Sequence, residues 1–528
     1  MCTFELKISF NKISQYMVET RSEKSLKNAR VNLIFYFITL FISFISRKVF
    51  LDLLGADFMG LVGTLQSILG FLNLAELGVG TAIGYVLYKP LFQKNHLKIS
   101  EIISVFGYLY RKIGQIILIL GVIIAILIPF IFKKSEFPVE GIYFAYFSFL
   151  TSSLLSYFVN YKQTLLSADQ KNYVITAYFQ TSNIVKILLQ ILVTHYTKNY
   201  VFWISLELAS GLIYSIIVNL KIKQVYPWLS SEVKAGSMLL TKYPEVVKYT
   251  KQLFIHKIAS FAQFQMSNIL IFSFISLKIV AYFGNYTLII SKLSLLVNKI
   301  MDGTGAGVGN LIAEGDKRKI KRVYWELTSL RFYLGGVIVF SLYHLIAPFI
   351  TLWLGKEYLL DNTIFILLLV QTYILQTRGA NDMFLFGYGL FNDIWAPLTE
   401  TLVTLIVSVI GGYFFGLSGI ISGSIVGLLL IVGIWKPYFL FRSGFNESIR
   451  LYWLSILKFL VIFFLSWIVS SFIISKIVFI NPSSSYLSWI LYAIFVLFVF
   501  GITQFFLMYT TEQGMRDLIL RIKNKLLN

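Results

Sequence analysis

Long apolar runs and short polar connections alternate along the whole chain. Fourteen of these runs reach the length of about 17 residues or more that a helix needs to cross a bilayer core. They lie near 33–50, 59–86, 107–132, 142–166, 173–196, 201–220, 253–275, 283–312, 328–354, 363–388, 395–415, 417–436, 452–475 and 486–509. The pattern predicts an all-α polytopic membrane protein with about 14 transmembrane helices.

One longer polar connection divides these spans into two groups of six. It runs from Lys221 to Lys251, carries Pro227 and Pro244, and is typical of a linker. We therefore expect two pseudo-symmetric six-helix lobes followed by a C-terminal helix pair. The predicted segments are a basic N-tail (1–32), an N-terminal lobe (33–220), a linker (221–252), a C-terminal lobe (253–436), helices 13 and 14 (437–509) and a C-tail (510–528).

A weak internal repeat supports this division. Gln66, Asn73 and Glu76 lie seven and three residues apart in the second span, so they share one helix face. A shift of 226 residues places Lys292, Lys299 and Asp302 at the same spacings, and both copies then become rich in glycine. Six helices separate the copies, so the lobes are predicted to be parallel repeats with a substrate site at their interface.

Composition and charge agree with a membrane protein. Hydrophobic residues make up 57% of the chain, charged residues 13%, and the mean hydropathy is +0.75. The net charge of +21 does not indicate nucleic-acid binding, because 34 of the 46 lysines and arginines fall in connections on one side of the predicted topology. This bias predicts that both termini are cytoplasmic. Cys2 is the only cysteine, so neither an internal disulfide nor a thiolate metal site is expected.

Charged residues inside the predicted spans are the candidates for function, since lipid does not solvate them. The bases are Arg47, Lys48, Lys186, Lys292, Lys299 and Arg378, and the acids are Glu76, Glu207, Asp302, Asp382 and Glu400. Snorkelling to the membrane surface is an alternative explanation for Arg47 and Lys48. For Glu207 and Glu400, structural pairing is the preferred interpretation.

Amides accompany these charges at helical spacing. Gln371, Arg378, Asn381 and Asp382 form one polar stripe, and Gln180, Asn183, Lys186 and Gln190 belong to another. Amides alone would be explained by hydrogen bonds between helices. Because the bases outnumber the acids, a water-filled cavity with net positive charge is the better explanation, and its natural ligand is an anion such as a phosphate. We expect Arg47, Lys48, Lys186, Lys292, Lys299, Arg378 and Asn381 to bind substrate, with Glu76, Asp302 and Asp382 as coupling groups or charge partners.

Signatures of an enzyme are absent from the sequence. It contains no histidine pair at metal spacing, no Walker loop and no G-x-S-x-G motif. The glycine run from Gly303 to Asn310 follows no strand, so it indicates close helix packing or a flexible helix end. A transporter without a bound cofactor or metal is expected.

Five stretches of the chain resemble a known family. They are SRKVFLDLLGADFMGLVGTLQSILGFLNLAELGVGTAIGYVLYKPL (Ser46–Leu91), SNILI (Ser267–Ile271), VGNLIAEGD (Val308–Asp316), WLGKEYLL (Trp353–Leu360) and QTRGANDMFLFGYGL (Gln376–Leu390). In order and spacing they are similar to the Wzx-type polysaccharide or O-antigen lipid flippases. These belong to the superfamily of multidrug, oligosaccharidyl-lipid and polysaccharide exporters, which includes the lipid II flippase. The chain departs from many relatives at Ser267, where they carry an acidic residue.

The resemblance implies a function and a location. Such proteins move an undecaprenyl-pyrophosphate-linked oligosaccharide across the bacterial cytoplasmic membrane by alternating access of two lobes. Na⁺, H⁺ or the membrane potential would drive transport, and a polysaccharide polymerase and glycosyltransferases of the same pathway are expected partners. The family's cavity cations would here be Arg47, Lys292, Lys299 and Arg378.

Two other functions are weaker alternatives. A cation-coupled multidrug exporter of the same superfamily would need an acidic cavity for cationic drugs. A polysaccharide polymerase or ligase would need a sizeable outer loop, and the predicted outer loops are short. The repeat further predicts asymmetry, because Lys292 and Lys299 in the C-terminal lobe occupy the positions of Gln66 and Asn73 in the N-terminal lobe.

Overall fold

The computed structural model describes residues 21–72, 79–133, 135–244, 246, 266–390, 392–477 and 480–527. Helices account for most of these residues, and no β-strand occurs among them. The all-α fold predicted from the apolar runs is confirmed.

The helices are numbered in chain order. The first eight are α1 (Arg21–Leu72), α2 (Val79–Phe92), α3 (His96–Ile131), α4 (Val139–Phe158), α5 (Gln163–Ala168), α6 (Asn172–Thr197), α7 (Tyr200–Val225) and α8 (Gly236–Lys242). They are followed by α9 (266–274), α10 (Leu277–Glu314), α11 (Lys317–Trp353), α12 (Asn362–Thr377), α13 (Gly379–Gly387) and α14 (Trp395–Leu428). The last four are α15 (Lys436–Phe439), α16 (Arg450–Ile477), α17 (Tyr486–Thr511) and α18 (Gln513–Leu527). A 3₁₀ turn forms at Lys356–Tyr358, and π-helical turns at Leu429–Trp435 and Leu440–Phe445 flank α15.

Two of the long helices are interrupted by a glycine. Gly55 in α1 has φ of 86°, and Gly416 in α14 has φ of 59°. Both values lie in the left-handed region, which glycine enters without the steric cost of a Cβ atom. Each of these helices therefore consists of two helical segments joined at a kink, and the break at Gly416 lies where the sequence separates its eleventh and twelfth spans.

The chain is a multi-pass membrane protein. Nine stretches of the described residues are long and apolar enough to cross a membrane: Arg30–Leu72, His96–Ile131, Tyr200–Val225, Leu277–Lys299, Lys317–Trp353, Asn362–Gly387, Trp395–Phe445, Arg450–Ile477 and Tyr486–Thr511. The first and the seventh contain the glycine breaks. Large apolar side chains such as Phe41 and Phe130 are exposed on these helices, as expected where lipid is the solvent. The number of fourteen spans stays a prediction.

The chain divides into two compact units. Unit 1 comprises Met1–Leu54 and Leu72–Phe254. Within it, α3 packs along α4, and α4 and α6 both pack on α7. The Tyr146 hydroxyl of α4 donates a 2.7 Å hydrogen bond to the Gly121 carbonyl of α3. A Cβ atom at Gly121 would lie 2.8 Å from Leu150, so the missing side chain permits this close approach.

Unit 2 comprises Gly55–Phe71 and Ile255–Asn528. Its central helix is α11, which packs against α12, α17 and α18. The segment of α1 after Gly55 also belongs to this unit. A Cβ atom at Gly60 would lie 1.9 Å from the Leu277 carbonyl oxygen, and the Asn268 amide donates to Ser67 Oγ at 3.0 Å. Close backbone contact therefore fixes this segment against the start of α10.

Candidate functional site

The helix α10 carries two of the predicted cations. Lys292 and Lys299 lie seven residues apart, which is two helical turns or about 10.5 Å along the axis, so they share one face. Both residues are half-buried, and their ammonium groups are close enough to repel each other. This face therefore carries concentrated positive charge within a stretch of membrane-spanning length. Asp302 follows on the same helix, but its side chain lies outside the described part of the structure.

Polar contacts tie this region of α10 to two neighbouring helices. The Gln376 amide of α12 donates to Ser294 Oγ at 2.8 Å, and Arg331 Nη1 of α11 donates to Asn298 Oδ1 at 3.2 Å. Ser294 and Asn298 lie between the two lysines in sequence. These hydrogen bonds fix the rotation of α10 and with it the direction of the lysine-bearing face.

Arg331 lies at the boundary between a basic connection and the predicted span 328–354, and the topology predicted from charge counts it with that connection. In the structure it lies on α11 and is only 5% exposed. A Cβ atom at Gly379 would lie 2.5 Å from Arg331 Cζ, so the guanidinium occupies the space that glycine leaves. One sequence signal pointed to this role: Arg331 lies nine residues beyond Arg322, outside the basic cluster of 317–322.

Arg378 lies at the junction where α12 ends and α13 begins. Its Nε donates to Asp382 Oδ2 at 2.6 Å, which forms an ion pair across one helical turn. The two side chains are about one-third exposed, and the buried Glu400 of α14 attracts the same guanidinium. Acidic neighbours therefore partly neutralise Arg378, and Asp382 acts as its charge partner.

Asn381 lies in the core of unit 2. Its Oδ1 accepts a 2.7 Å hydrogen bond from the Tyr324 hydroxyl, and its Nδ2 donates to the Tyr452 hydroxyl at 3.1 Å. The residue is 5% exposed, and Tyr324 packs against Phe384 and Phe445. The amide stabilises the contact between α11, α13 and α16, and its position gives no support to the predicted contact with substrate.

In unit 1, Lys186 forms an ion pair with Glu207. Its Nζ lies 2.8 Å from Glu207 Oε1, and the Gln190 amide donates to Glu207 Oε2 at 3.2 Å. The Lys186 side chain is 13% exposed. Lys186 and Gln190 on α6 thus surround the carboxylate of α7, and the positive charge is neutralised locally.

The remaining predicted charges lie on α1 or beyond the described residues. Lys48 forms a 3.3 Å ion pair with Asp52 one turn along α1, and both side chains are almost half exposed. Arg47 is half-buried beside it. Glu76 and Asn73 fall outside the described residues. Where the structure describes the chain, no three His, Cys, Asp or Glu side chains are grouped to hold a metal ion.

Comparison with known proteins identifies the fold. No protein-family model matches the chain. A protein of Yersinia pseudotuberculosis to which O-antigen export is attributed is 23% identical over 445 residues, which cover 78% of this chain and 94% of that protein.

Two solved structures share the architecture. The lipid II flippase MurJ, in an inward-closed conformation, aligns with a TM-score of 0.62 and 14% identity over 92% of this chain and 99% of its own. An inward-facing multidrug resistance transporter of the MATE family in the MOP superfamily aligns with a TM-score of 0.56 and 14% identity, over 79% and 99%. The chain therefore has the MurJ and MATE fold, and the predicted resemblance is confirmed at this level.

Proposed function

We propose that this protein is a flippase that moves a polyprenyl-pyrophosphate-linked oligosaccharide across the cytoplasmic membrane by alternating access. The observation that carries this proposal is the face of α10 on which Lys292 and Lys299 stand. Two cations that repel each other are costly in an apolar helix unless an anion or water offsets them. A substrate with a strongly anionic centre relieves that cost while it is bound.

A pyrophosphate matches this charge better than a single carboxylate would. It carries several oxygens that accept hydrogen bonds, and two lysines about 10.5 Å apart along the helix axis give it more than one cationic contact. Lysine acts as a mobile point charge, so it can hold the anion without fixing one geometry. The lipid tail of the substrate stays in the membrane, which solvates it throughout transport.

Similarity to known transporters supports the same conclusion. The relative from Yersinia pseudotuberculosis is named for O-antigen export, and MurJ is a lipid II flippase. Both descriptions concern substrates of the bacterial envelope. Polymerases and glycosyltransferases of the same pathway would then be the partners that consume and supply the substrate.

Deletion of the gene in the native host tests the proposal directly. Without the exporter, the membrane should accumulate a polyprenyl-pyrophosphate oligosaccharide, which mass spectrometry of the extracted lipids would identify. The wild-type gene should restore surface polysaccharide, and the double variant Lys292→Ala/Lys299→Ala should not. Lys278→Ala is the matched control because Lys278 is exposed at the start of the same helix, with its ammonium over the Tyr282 ring.

Two results would contradict the proposal. One is a deletion strain that accumulates no lipid-linked sugar while its surface polysaccharide is lost. The other is a double variant that restores export as well as the wild-type gene does at equal protein level in the membrane.

A multidrug exporter is the second candidate, since the MATE transporter shares the fold. Cationic drugs would be repelled by Lys292 and Lys299, so this function ranks below the first. Ethidium transport by proteoliposomes, abolished by Asp382→Asn and unaffected by Lys292→Ala, would favour it instead.

The source of energy is part of the proposal. The Arg378 and Asp382 pair is one candidate for ion coupling, since binding of Na⁺ or H⁺ to Asp382 would release Arg378. Transport measured in proteoliposomes with an imposed Na⁺ gradient, H⁺ gradient or membrane potential would show which of the three drives it. If this pair couples transport, Asp382→Asn should remove the response to one gradient.

A further inference from the structure

Unit 1 contains a cavity of about 440 Å³, which is within the range of about 300–1,000 Å³ for small-molecule sites. It lies between α2, the middle of α3, the end of α4 and α5. Its described lining is Gly80, Gly84, Tyr88, Tyr110, Ser156, Asn160, Tyr161, Gln163, Thr164, Ser167 and Ala168. None of these residues is charged, in contrast to the lysine-bearing face of α10 in unit 2.

Hydrogen bonds from α7 hold part of this lining in place. Asn160 donates to Ser215 Oγ at 2.9 Å and accepts from Asn219 at 3.1 Å, so its amide is used within the protein. The Tyr214 hydroxyl donates to Gln163 Oε1 at 3.1 Å. This bond fixes the Gln163 amide and leaves its Nε2 hydrogens as donors for a ligand.

The uncharged polar and aromatic side chains of the described lining indicate which class of ligand fits this cavity. The hydroxyls of Ser156 and Thr164 join the Gln163 amide as neutral donors and acceptors, and Tyr88, a residue that is 56% exposed, adds an aromatic ring to the lining. The described lining offers neither a cation nor an anion a countercharge, and an acyl chain would leave its hydroxyls and amides unbonded. A neutral polyhydroxyl compound satisfies them, and its C–H face can pack on an aromatic ring.

We propose that this cavity is a saccharide-binding subsite of unit 1. The inference rests on the proposed function, because it assigns the glycan of the substrate to a neutral pocket apart from the cations assigned to the pyrophosphate. Gln163, Ser156 and Thr164 would bind sugar hydroxyls, and Tyr88 would pack against a sugar ring. Gly80 and Gly84 keep the wall formed by α2 open.

Gly84 offers a sharp test, because no atom of the described residues lies within 4 Å of the position its Cβ would take. A larger side chain there enters the cavity without displacing the backbone. The series Gly84→Ala, Gly84→Leu and Gly84→Phe should therefore reduce binding in order of volume, with Leu and Phe filling the site. All three substitutions replace glycine by a residue with a higher helix propensity, so loss of folding is not expected.

The measurement is saturation-transfer NMR on the full chain in lipid nanodiscs. The probes are the methyl glycosides of glucose, galactose, rhamnose and N-acetylglucosamine, and inorganic pyrophosphate, which has no carbon-bound proton, is followed separately by the broadening of its ³¹P signals. At least one glycoside should bind the wild type, and Gly84→Leu should abolish its signal. Thr164→Val and Tyr88→Ala should each weaken it about 5- to 10-fold, as expected for one lost contact.

Tyr196→Ala is the matched control for Tyr88→Ala, since Tyr196 is a 79% exposed tyrosine of the same unit. It should leave glycoside binding unchanged. Pyrophosphate binding should be unchanged in Gly84→Leu and should fall in Lys292→Ala/Lys299→Ala. This result would distinguish the saccharide subsite from the pyrophosphate site.

The outcomes distinguish this inference from the proposed function. If no glycoside binds the wild type, or if Gly84→Leu binds as the wild type does, the saccharide subsite is wrong. The flippase proposal survives that result if pyrophosphate still binds through the two lysines. If glycosides bind and pyrophosphate does not, the cavity is a sugar site and the proposed role of the lysines fails.

Discussion

Lys186 in unit 1 and the Lys292 and Lys299 pair in unit 2 all lie within apolar helices, yet their surroundings differ. Lys186 meets the Glu207 carboxylate at 2.8 Å, and Gln190 completes that contact. Lys292 and Lys299 face each other's positive charge on one helix. A lysine in a predicted span is therefore not by itself a functional residue, because a carboxylate on the neighbouring helix can hold it in an ion pair, as Glu207 holds Lys186.

The largest effect is expected from reversing the charge on the α10 face. Lys292→Glu/Lys299→Glu should reduce export at least about 100-fold, because carboxylates would repel a pyrophosphate. Lys292→Arg/Lys299→Arg keeps the charge and should retain much of the activity. Accumulation of lipid-linked intermediate per unit of membrane protein is the measurement. Equal export by the Glu and Arg variants would contradict this prediction, because the charge at Lys292 and Lys299 would then not matter for transport.

The Lys186 ion pair should matter for stability rather than for substrate. Lys186→Met leaves Glu207 partly buried without its cation and should cost about 1–3 kcal/mol, at the lower end for such pairs because both side chains retain some exposure. Thermal unfolding in detergent would measure this loss. The double variant Lys186→Met/Glu207→Leu should recover stability and export. A stable double variant that cannot export would make Lys186 a substrate-binding residue after all.

The packing of Arg331 over Gly379 gives a smaller expected effect. Gly379→Ala places a methyl group 2.5 Å from the guanidinium carbon and should destabilise unit 2 by about 1–3 kcal/mol. Gly309→Ala is the control, since no atom lies within 4 Å of its Cβ position, and a helical Gly→Ala change should there be neutral or stabilising by about 0.5–1 kcal/mol. If both variants unfold at the same temperature, Arg331 does not need the space at Gly379.

The smallest effect is expected at Lys48. Its ion pair with Asp52 is almost half exposed, and pairs of this kind contribute about 0–1 kcal/mol. Lys48→Ala should therefore change the melting temperature little and lower export less than twofold. A loss of export as large as that of the α10 double variant would place Lys48 in the substrate site and extend the functional charge to unit 1.

The stripe at 371–382 shows how far sequence patterns reach. The spacing of Arg378, Asn381 and Asp382 predicts one polar stripe, and in the structure these residues lie where α12 ends and α13 begins. It could not show that Tyr324 and Tyr452, which lie far away in sequence, enclose the Asn381 amide. Periodicity defines a face of a helix, whereas the identity of the neighbour on that face depends on packing.

Arg331 shows what a hydropathy pattern leaves open. A charge near a span end is usually topogenic, and the positive-inside rule counted it with the cytoplasmic cluster. The structure buries it because α11 is continuous from Lys317 to Trp353 and turns this side chain toward Asn298 and Gly379. Residues at the edge of a predicted span are the ones whose depth a hydropathy window resolves least.

The apolar runs alone were enough to predict that the chain is helical and crosses the membrane repeatedly, since backbone groups in lipid must form hydrogen bonds within the protein and runs of this length do so as helices. It also determined the excess of cations over acids within the spans and the resemblance to envelope lipid exporters. Tertiary packing was needed to show that Lys186 pairs with Glu207, that the α1 segment after Gly55 packs with unit 2, and that the described lining of the cavity in unit 1 carries no charge. Those features depend on contacts between residues distant in sequence, which side-chain packing alone selects.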